Sequence, residues 1–555
     1  MTPSNARHKT KRKSLFAMAN VGFADLIIHN ANVYTVDPAR PTAAAVAVAG
    51  REIIAVGSEA EVLAWQGAKT RRIDGQGGTL LPGFIDSHFH LLSGSLTLND
   101  MQLAGVTSLE ALTTAVQSFK QSRPERAWYV GYGLAYNLLP QQQGLTRQHL
   151  DAIEAERPLV LIAFDFHSAW ANSAALRQLG WLEGGPAEYS EQIVRGEDGQ
   201  AQGMLLELSH AVLDHLPRPD FAQIRAALRE GLAVAASLGI TSVHNMDGNL
   251  ERIGWYAAME DLAELTLRVY CPYDITPDTR PEDLAEAITM RKQFRSDMVR
   301  SGCVKFFMDG VIESGTAFVL QDYVLRPGHR GNPLYSAGHF AEMATAADAL
   351  GLQIFVHAVG DAAVRRTLDG LALAQEANGR RDSRHRIEHI ELLHPDDGPR
   401  FAELGVIASM QPLHAPLAPL AEPDAWAAQL GPARWDGAFP WRTLRQAGAQ
   451  LIFGSDWPVA SQNPLAGLAA AVTRQPLAGG QRDERQTLAE AIAAYTRDAA
   501  YAEFQEGKKG QIKAGLWADL VLLDQDIFAI PPEEIATVRP RLTLCNGRVV
   551  YGAGA

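Results

Sequence analysis

The stretch "LQIFVHAVGD", residues 352–361, runs through apolar side chains, presents one histidine, His357, and then turns through Gly360 into a helix-like segment. A short apolar run ending at Gly reads as a strand buried on both faces. The same figure recurs in "LGITSVHNMDG" (238–248), which follows an amphipathic segment beginning near Phe221. It recurs again in "VKFFMDG" (304–310), "RHRIEHIEL" (384–392), "GVIASMQP" (405–412) and "AQLIFGSDWP" (449–458). Strand, loop and helix alternating about eight times is the rhythm of a parallel α/β sheet, which a TIM-like (β/α)₈ barrel closes most simply. In such barrels the strand C-termini carry the chemistry, so the polar endings read as one site.

Upstream, "LPGFIDSHFHLLSG" (81–94) sets His88 and His90 one residue apart after an apolar run. In an extended strand residues i and i+2 face the same way, so both imidazoles project together, a geometry that suits one metal ion. With 16 histidines in the chain such a pair also arises by chance, and its value rests on finding further ligands. The other strand ends supply Lys305, His357, His389 and Asp456.

The two ends of the chain differ in texture from its middle. "ADLIIHNANVYTVDP" and "VAVAGREIIAVG" near the start, and "KKGQIKAGLWADLVLLDQD" and "TLCNGRVVYG" near the end, are short alternating strands broken by Asn, Gly and Pro. Residues 24–81 and 508–555 are therefore expected to form one small β-sandwich beside a barrel over 82–507. About 150 residues separate the His pair from the next barrel strand, far more than an ordinary βα loop. An insertion over about 95–220 is expected to cap the barrel mouth and shape the pocket. Residues 1–23, with Lys9, Lys11, Arg12 and Lys13, are expected to be a disordered tail, with Met18 an alternative start.

The bulk composition narrows the function classes. The chain has 555 residues, 47% hydrophobic and 20% charged, as in a globular enzyme with a small-molecule substrate. A net charge of -13 with no basic stripe argues against a nucleic-acid partner. No apolar run is long enough to span a membrane. Three widely spaced cysteines, Cys271, Cys303 and Cys545, argue for a reducing, cytoplasmic setting. A homo-oligomer is left open.

Taken together, "LPGFIDSHFH", "HSAWANSAAL", "VKFFMDG", "VHAVGDAAV", "RIEHIEL", Gln411-Pro412 and "GSDWPV" resemble the amidohydrolase superfamily, and within it the amidohydrolase family 3 group that includes N-substituted formamide deformylases. The resemblance implies that His88, His90 and Asp456 hold one divalent ion, such as Zn²⁺, and that His357 and His389 hold a second. It also implies that Lys305 takes up carbon dioxide to become a bridging carbamate. The alternative for Lys305 is a lysine that snorkels or pairs with Asp309, leaving a site for one ion. The implied activity is hydrolysis of an amide-type C–N bond, N-acyl or N-formyl, by a metal-activated hydroxide, with Asp456 carrying the proton to the departing amine. A lactone or ester hydrolase with the same centre, and a non-catalytic metal-stabilised regulatory or binding protein, are the alternatives.

Substrate contacts are expected from His167, Trp170 and Tyr132 in the insertion and from Gln411. "HSAWANSAAL" reads equally well as a helix start capped by Asn172. By strand alternation Glu388 and Glu391 point away from His389, with Glu391 or His394 as candidates to support a ligand from behind. His244 and Asp247 either line the site or close a turn, and His414 reads either as a substrate contact or, by default, as an exposed loop histidine.

Overall fold

The computed structural model describes residues 22–136, 138–139, 144–416 and 424–552. The expected tail, up to residue 21 and including Met18, lies outside the described residues.

Eight parallel strands form the central sheet: β1 (Phe84–Phe89), β2 (Ile240–Asn245), β3 (Arg268–Asp274), β4 (Val299–Phe307), β5 (Gln353–Ala358), β6 (Arg386–His389), β7 (Ile407–Met410) and β8 (Leu451–Phe453). They pair in sequence order from β1 to β8, every pair parallel. All six residues of β1, β2 and β5 are buried, as expected of strands covered on both faces. The fold is thus a nearly closed (β/α)₈ barrel.

Closure happens at the C-terminal ends, where the polar residues gather. Asp456 N donates to His88 O at 2.7 Å and His90 N to Trp457 O at 2.9 Å, beside a parallel bridge between Phe89 and Trp457. Asp86 Oδ1 accepts from His88 N at 3.1 Å and from Ser455 N at 2.9 Å. Gly454 makes this approach feasible, because a Cβ there would run into the backbone nitrogen of His88. His88 and Asp456 are therefore set side by side by backbone bonds, independently of their side chains.

The helix Phe221–Ser237 illustrates how the barrel is clad. Asp220 accepts from Gln223 N and Gln223 returns a bond to Asp220 N, both at 2.9 Å, so the first turn is capped reciprocally. Ile224, Leu228, Leu232 and Ala235 follow the helical period and pack in one cluster with Phe89, Ile240 and Val243 of the sheet.

The long insertion contains its own six-stranded sheet, running from Met101–Gln102 through Tyr129–Leu134, Leu159–Ala163, Ala169–Ala171 and Ala201–Leu205 to Ile193–Arg195. Its loop carrying His167 meets the barrel mouth. His167 Nδ1 donates to Glu207 Oε2 at 2.6 Å, and Glu207 Oε1 accepts from Thr316 Oγ1 at 2.9 Å and Ser314 Oγ at 3.2 Å in the segment after β4.

The chain ends supply two further sheets. One is built from residues 24–74 alone, and the other joins Asn32–Tyr34, Thr42–Ala43 and Thr79–Pro82 to Leu520–Leu523, Pro540–Cys545 and Arg548–Gly552. Leu26, Ile28, Val33, Val46 and Leu80 share one apolar cluster with Ile512, Leu520, Leu522, Leu542 and Leu544. Asp519 also reaches the barrel, taking a two-pronged bond from the buried Arg268 at 2.6 and 2.9 Å. Truncation after Lys508 is expected to give insoluble protein, because it bares the Thr79–Pro82 edge and strands the Arg268 cation. Soluble yield and a thermal melt check this, and a soluble truncated chain with an intact melt refutes it.

Among the described residues no helix is long and apolar enough to cross a membrane. Cys271, Cys303 and Cys545 are free and buried.

Candidate metal centre

β1 presents His88, with His90 immediately beyond it, and the segment after β8 presents Asp456. Asp456 Oδ1 lies 3.2 Å from His88 Nε2 and 3.3 Å from His90 Nε2. Two ligands held about 2.0–2.1 Å from one ion in tetrahedral geometry lie about 3.3 Å apart, so these three atoms have the spacing of a metal triad. The other oxygen, Oδ2, faces His389 Nδ1 at 3.9 Å and His414 Nε2 at 3.8 Å. Ligand atoms of His389, His414 and Asp456 also lie within 4.8 Å of one another.

Both His389 (φ 74°) and Asp456 (φ 61°) occupy the left-handed region, which non-glycine residues rarely adopt. At Asp456 the bond from its backbone N–H to His88 O pins this conformation. Backbone strain of this kind gathers where a side chain must be aimed.

His357 sits on β5 with its ring 4.4 Å from that of His389. Its Nε2 donates to the carbonyl of Gly310 at 3.2 Å, which leaves Nδ1 as its lone-pair nitrogen. Burial pushes the pKa of His357 and of His389 well down, reinforced by neighbouring imidazoles and Lys305. Both therefore stand as neutral imidazoles, the form a metal requires. Burial pushes Asp456 the other way, but the charge of His88 and hydrogen bonds from His88 and His90 outweigh it and hold the carboxyl well below its usual range.

Lys305 projects from β4 with 1% of its surface exposed, and its Nζ has no hydrogen-bond partner among the described residues. The amine rests 4.6 Å above the Phe307 ring, which lies 5.1 Å from the ring of His357. Burial lowers its pKa. Asp309 does not pair with it. Its two oxygens accept from the backbone N–H groups of Phe318, Val359 and Gly360 at 2.8–3.0 Å.

Behind the histidines stands a set of carboxylates. Glu388 Oε2 accepts from His88 Nδ1 at 2.7 Å, which orients that imidazole with Nε2 toward Asp456. Alternation does turn Glu388 away from His389, but the direction it faces is the barrel interior, where His88 waits. Arg386, two residues earlier and on the same face, donates to Glu388 at 2.5 and 3.0 Å and to His244 Nδ1 at 2.7 Å. Burial pushes Glu388 up, yet Arg386 and His88 prevail and keep it ionised well below its usual range. Asp247 does the same service for His90, accepting from Nδ1 at 3.2 Å.

Glu391 accepts from Trp426 Nε1 at 2.8 Å and lies 3.6 Å from His414 Nδ1. His414 is thus no exposed loop residue, with 12% of its side chain accessible. His394 is turned instead toward Arg365 at 2.9 Å.

The four expected substrate contacts separate. His167 reaches the centre, its ring 5.8 Å from that of His357. Burial pulls its pKa down, but Glu207 outweighs this and carries it to about 9, making it a cation at neutral pH. Gln411 lies buried at the end of β7 with neither amide atom bonded among the described residues. Tyr132, stacked on Phe166 at 5.4 Å, and Trp170, edge-on to Tyr136 at 5.3 Å, are buried in the insertion's own apolar clusters. Asn172 accepts from Ala175 N and caps the helix Ser173–Leu179.

The chain is similar to known proteins along most of its length. The N-substituted formamide deformylase of Arthrobacter pascens is 27% identical over 548 residues, covering 95% of this chain and 98% of its own. Protein LONG AFTER FAR-RED 3 of Arabidopsis thaliana is 30% identical over 526 residues, covering 92% and 89%. An uncharacterised metal-dependent hydrolase from Pyrococcus furiosus superposes with a TM-score of 0.70 at 25% identity, over 92% of this chain and 99% of that one. The model of the amidohydrolase family matches residues 71–551, and the chain belongs to that family.

Proposed function

We propose that the chain is a metal-dependent hydrolase that cleaves the C–N bond of a small N-acyl or N-formyl compound. The observation that carries this reading is Asp456, whose two oxygens face two separate groups of histidines at the closing seam of the barrel. The likeness to an N-substituted formamide deformylase along nearly the whole length supports the substrate class.

His88, His90 and Asp456 would hold one divalent ion, with zinc suited to this nitrogen and oxygen donor set, and His357 and His389 a second. Lys305 would join them as a carbamate. In its deprotonated form the amine forms a bond to the carbon of carbon dioxide and gives up a proton, leaving an anionic oxygen donor. A buried, unpartnered and deprotonation-prone amine fits that role. Bound ions supply Lewis acidity toward a carbonyl oxygen and toward water. Asp456 accepts a proton on a carboxylate oxygen and returns it to the departing amine nitrogen. His167, cationic at the mouth, orients the polar end of the substrate.

The test is hydrolysis of paired N-formyl and O-formyl analogues before and after chelation. Turnover of the amide member is expected, lost with the metal and restored by zinc. Full activity in metal-free protein ends this reading, and turnover of the ester alone moves the chemistry to esters.

A further inference from the structure

We infer that His414 is a metal ligand of the second ion, shared with His389 and Asp456, and that Glu391 is the carboxylate that positions it. The inference rests on the metal-centre reading above and adds to that ligand set a residue from just beyond β7, a strand end that otherwise contributes none.

Several independent features converge on His414. One ligand atom from each of His414, Asp456 and His389 lies within 4.8 Å of the other two. The separation of 3.8 Å between His414 Nε2 and Asp456 Oδ2 is too long for a hydrogen bond, and Nε2 is buried without any partner among the described residues. A buried polar nitrogen left unbonded is costly unless something else engages it. The opposite nitrogen, Nδ1, faces Glu391 Oε1 at 3.6 Å, and Trp426 Nε1 anchors the other oxygen of Glu391 at 2.8 Å. A carboxylate behind one imidazole nitrogen, with the other nitrogen aimed at a neighbouring ligand, is the support that metal-binding histidines use. Glu388 behind His88 and Asp247 behind His90 make that contact as hydrogen bonds at 2.7 and 3.2 Å, and Glu391 stands in the same place behind His414 at an ion-pair distance of 3.6 Å. The ring of His414 also lies nearly parallel to that of His389, at 14° and 6.0 Å between centres, so both edges present toward Asp456. The short turn Pro412–His414 brings the residue there immediately after β7.

In that arrangement the two oxygens of Asp456 would serve different groups, Oδ1 beside His88 and His90 and Oδ2 beside His389 and His414.

The experiment titrates metal-stripped protein with Co²⁺, reading bound cobalt by equilibrium dialysis and ligand geometry by visible absorption. Three chains are compared: wild type, His414→Ala and Glu391→Gln. His414→Ala is expected to lose the cobalt bound beside His389, with its absorption band, and to keep the cobalt beside His88 and His90. Glu391→Gln preserves volume and is expected to weaken the same cobalt by about 10–100-fold, which decides the matter should His414→Ala fail to fold. Unchanged cobalt stoichiometry, affinity and spectrum in both variants overturns the inference and leaves the metal centre standing. Absence of cobalt binding in the wild type overturns the metal-centre reading itself, and His414 with it.

Discussion

Asp456→Asn is expected to keep its fold and the ion beside His88 and His90 while losing about two to four orders of magnitude in turnover, the usual range for removing a general acid or base. The fold is spared because the seam at this point is held by the backbone, Asp456 N to His88 O and His90 N to Trp457 O, and not by the carboxylate. The left-handed φ of 61° is also one that asparagine tolerates better than most residues. An amide retains one oxygen for a metal but accepts no proton at neutral pH, so ligation is weakened while proton transfer is lost. Turnover of an N-formyl substrate, metal content and a thermal melt should be read on the same preparation. Near wild-type turnover with full metal shows that another group moves the proton.

The barrel is legible in the sequence because each strand is covered on both faces and so reads as an apolar run with one polar ending. "LQIFVHAVGD" and "AQLIFGSDWP" carry strand, polar ending and turn in ten residues each. His88, His90, His389 and Asp456 follow from that logic, since residues at strand ends of one barrel must converge. What alternation does not reveal is which side chain a residue meets across the barrel. Glu388 and His88 are 300 positions apart on strands that do not pair, and only closure of the sheet joins them. The local signal was present in Arg386 and Glu388, a charged pair at i and i+2 on one face of a buried strand. His414 escapes for a different reason, because it lies past the end of β7, where a three-residue turn and not the strand period decides its direction. Tyr132 and Trp170 illustrate a third limit of the sequence. Aromatic side chains in an insertion at a barrel mouth read as pocket walls, whereas a sheet of six strands needs a core of its own.

Glu388→Ala is expected to cost about 3–5 kcal/mol of stability, the range for removing one partner of a buried ion pair. Arg386 is wholly buried, and apart from Glu388 its partners are neutral: the Ser87 carbonyl, the Ser409 hydroxyl at 2.8 Å and His244 Nδ1 at 2.7 Å. With the carboxylate gone, a guanidinium is left inside the barrel beside the His88 and Lys305 side chains. Glu388→Gln separates the charge from the shape. It keeps an oxygen for His88 Nδ1 but no longer neutralises Arg386, and it is expected to weaken the ion beside His88 by about 10–100-fold. An Arg386→Met, Glu388→Leu double variant should recover much of the stability, since apolar side chains often replace a buried pair without loss. It should not recover the metal affinity, because His88 then has nothing to fix its tautomer. Thermal melts of metal-free protein and competition for zinc against a chelator measure the two effects separately. If Glu388→Ala melts like the wild type, Arg386 draws its counter-charge from Glu503, which faces the far side of His244 at 3.3 Å, and the support for His88 and the stability of the barrel are then separate properties of this strand.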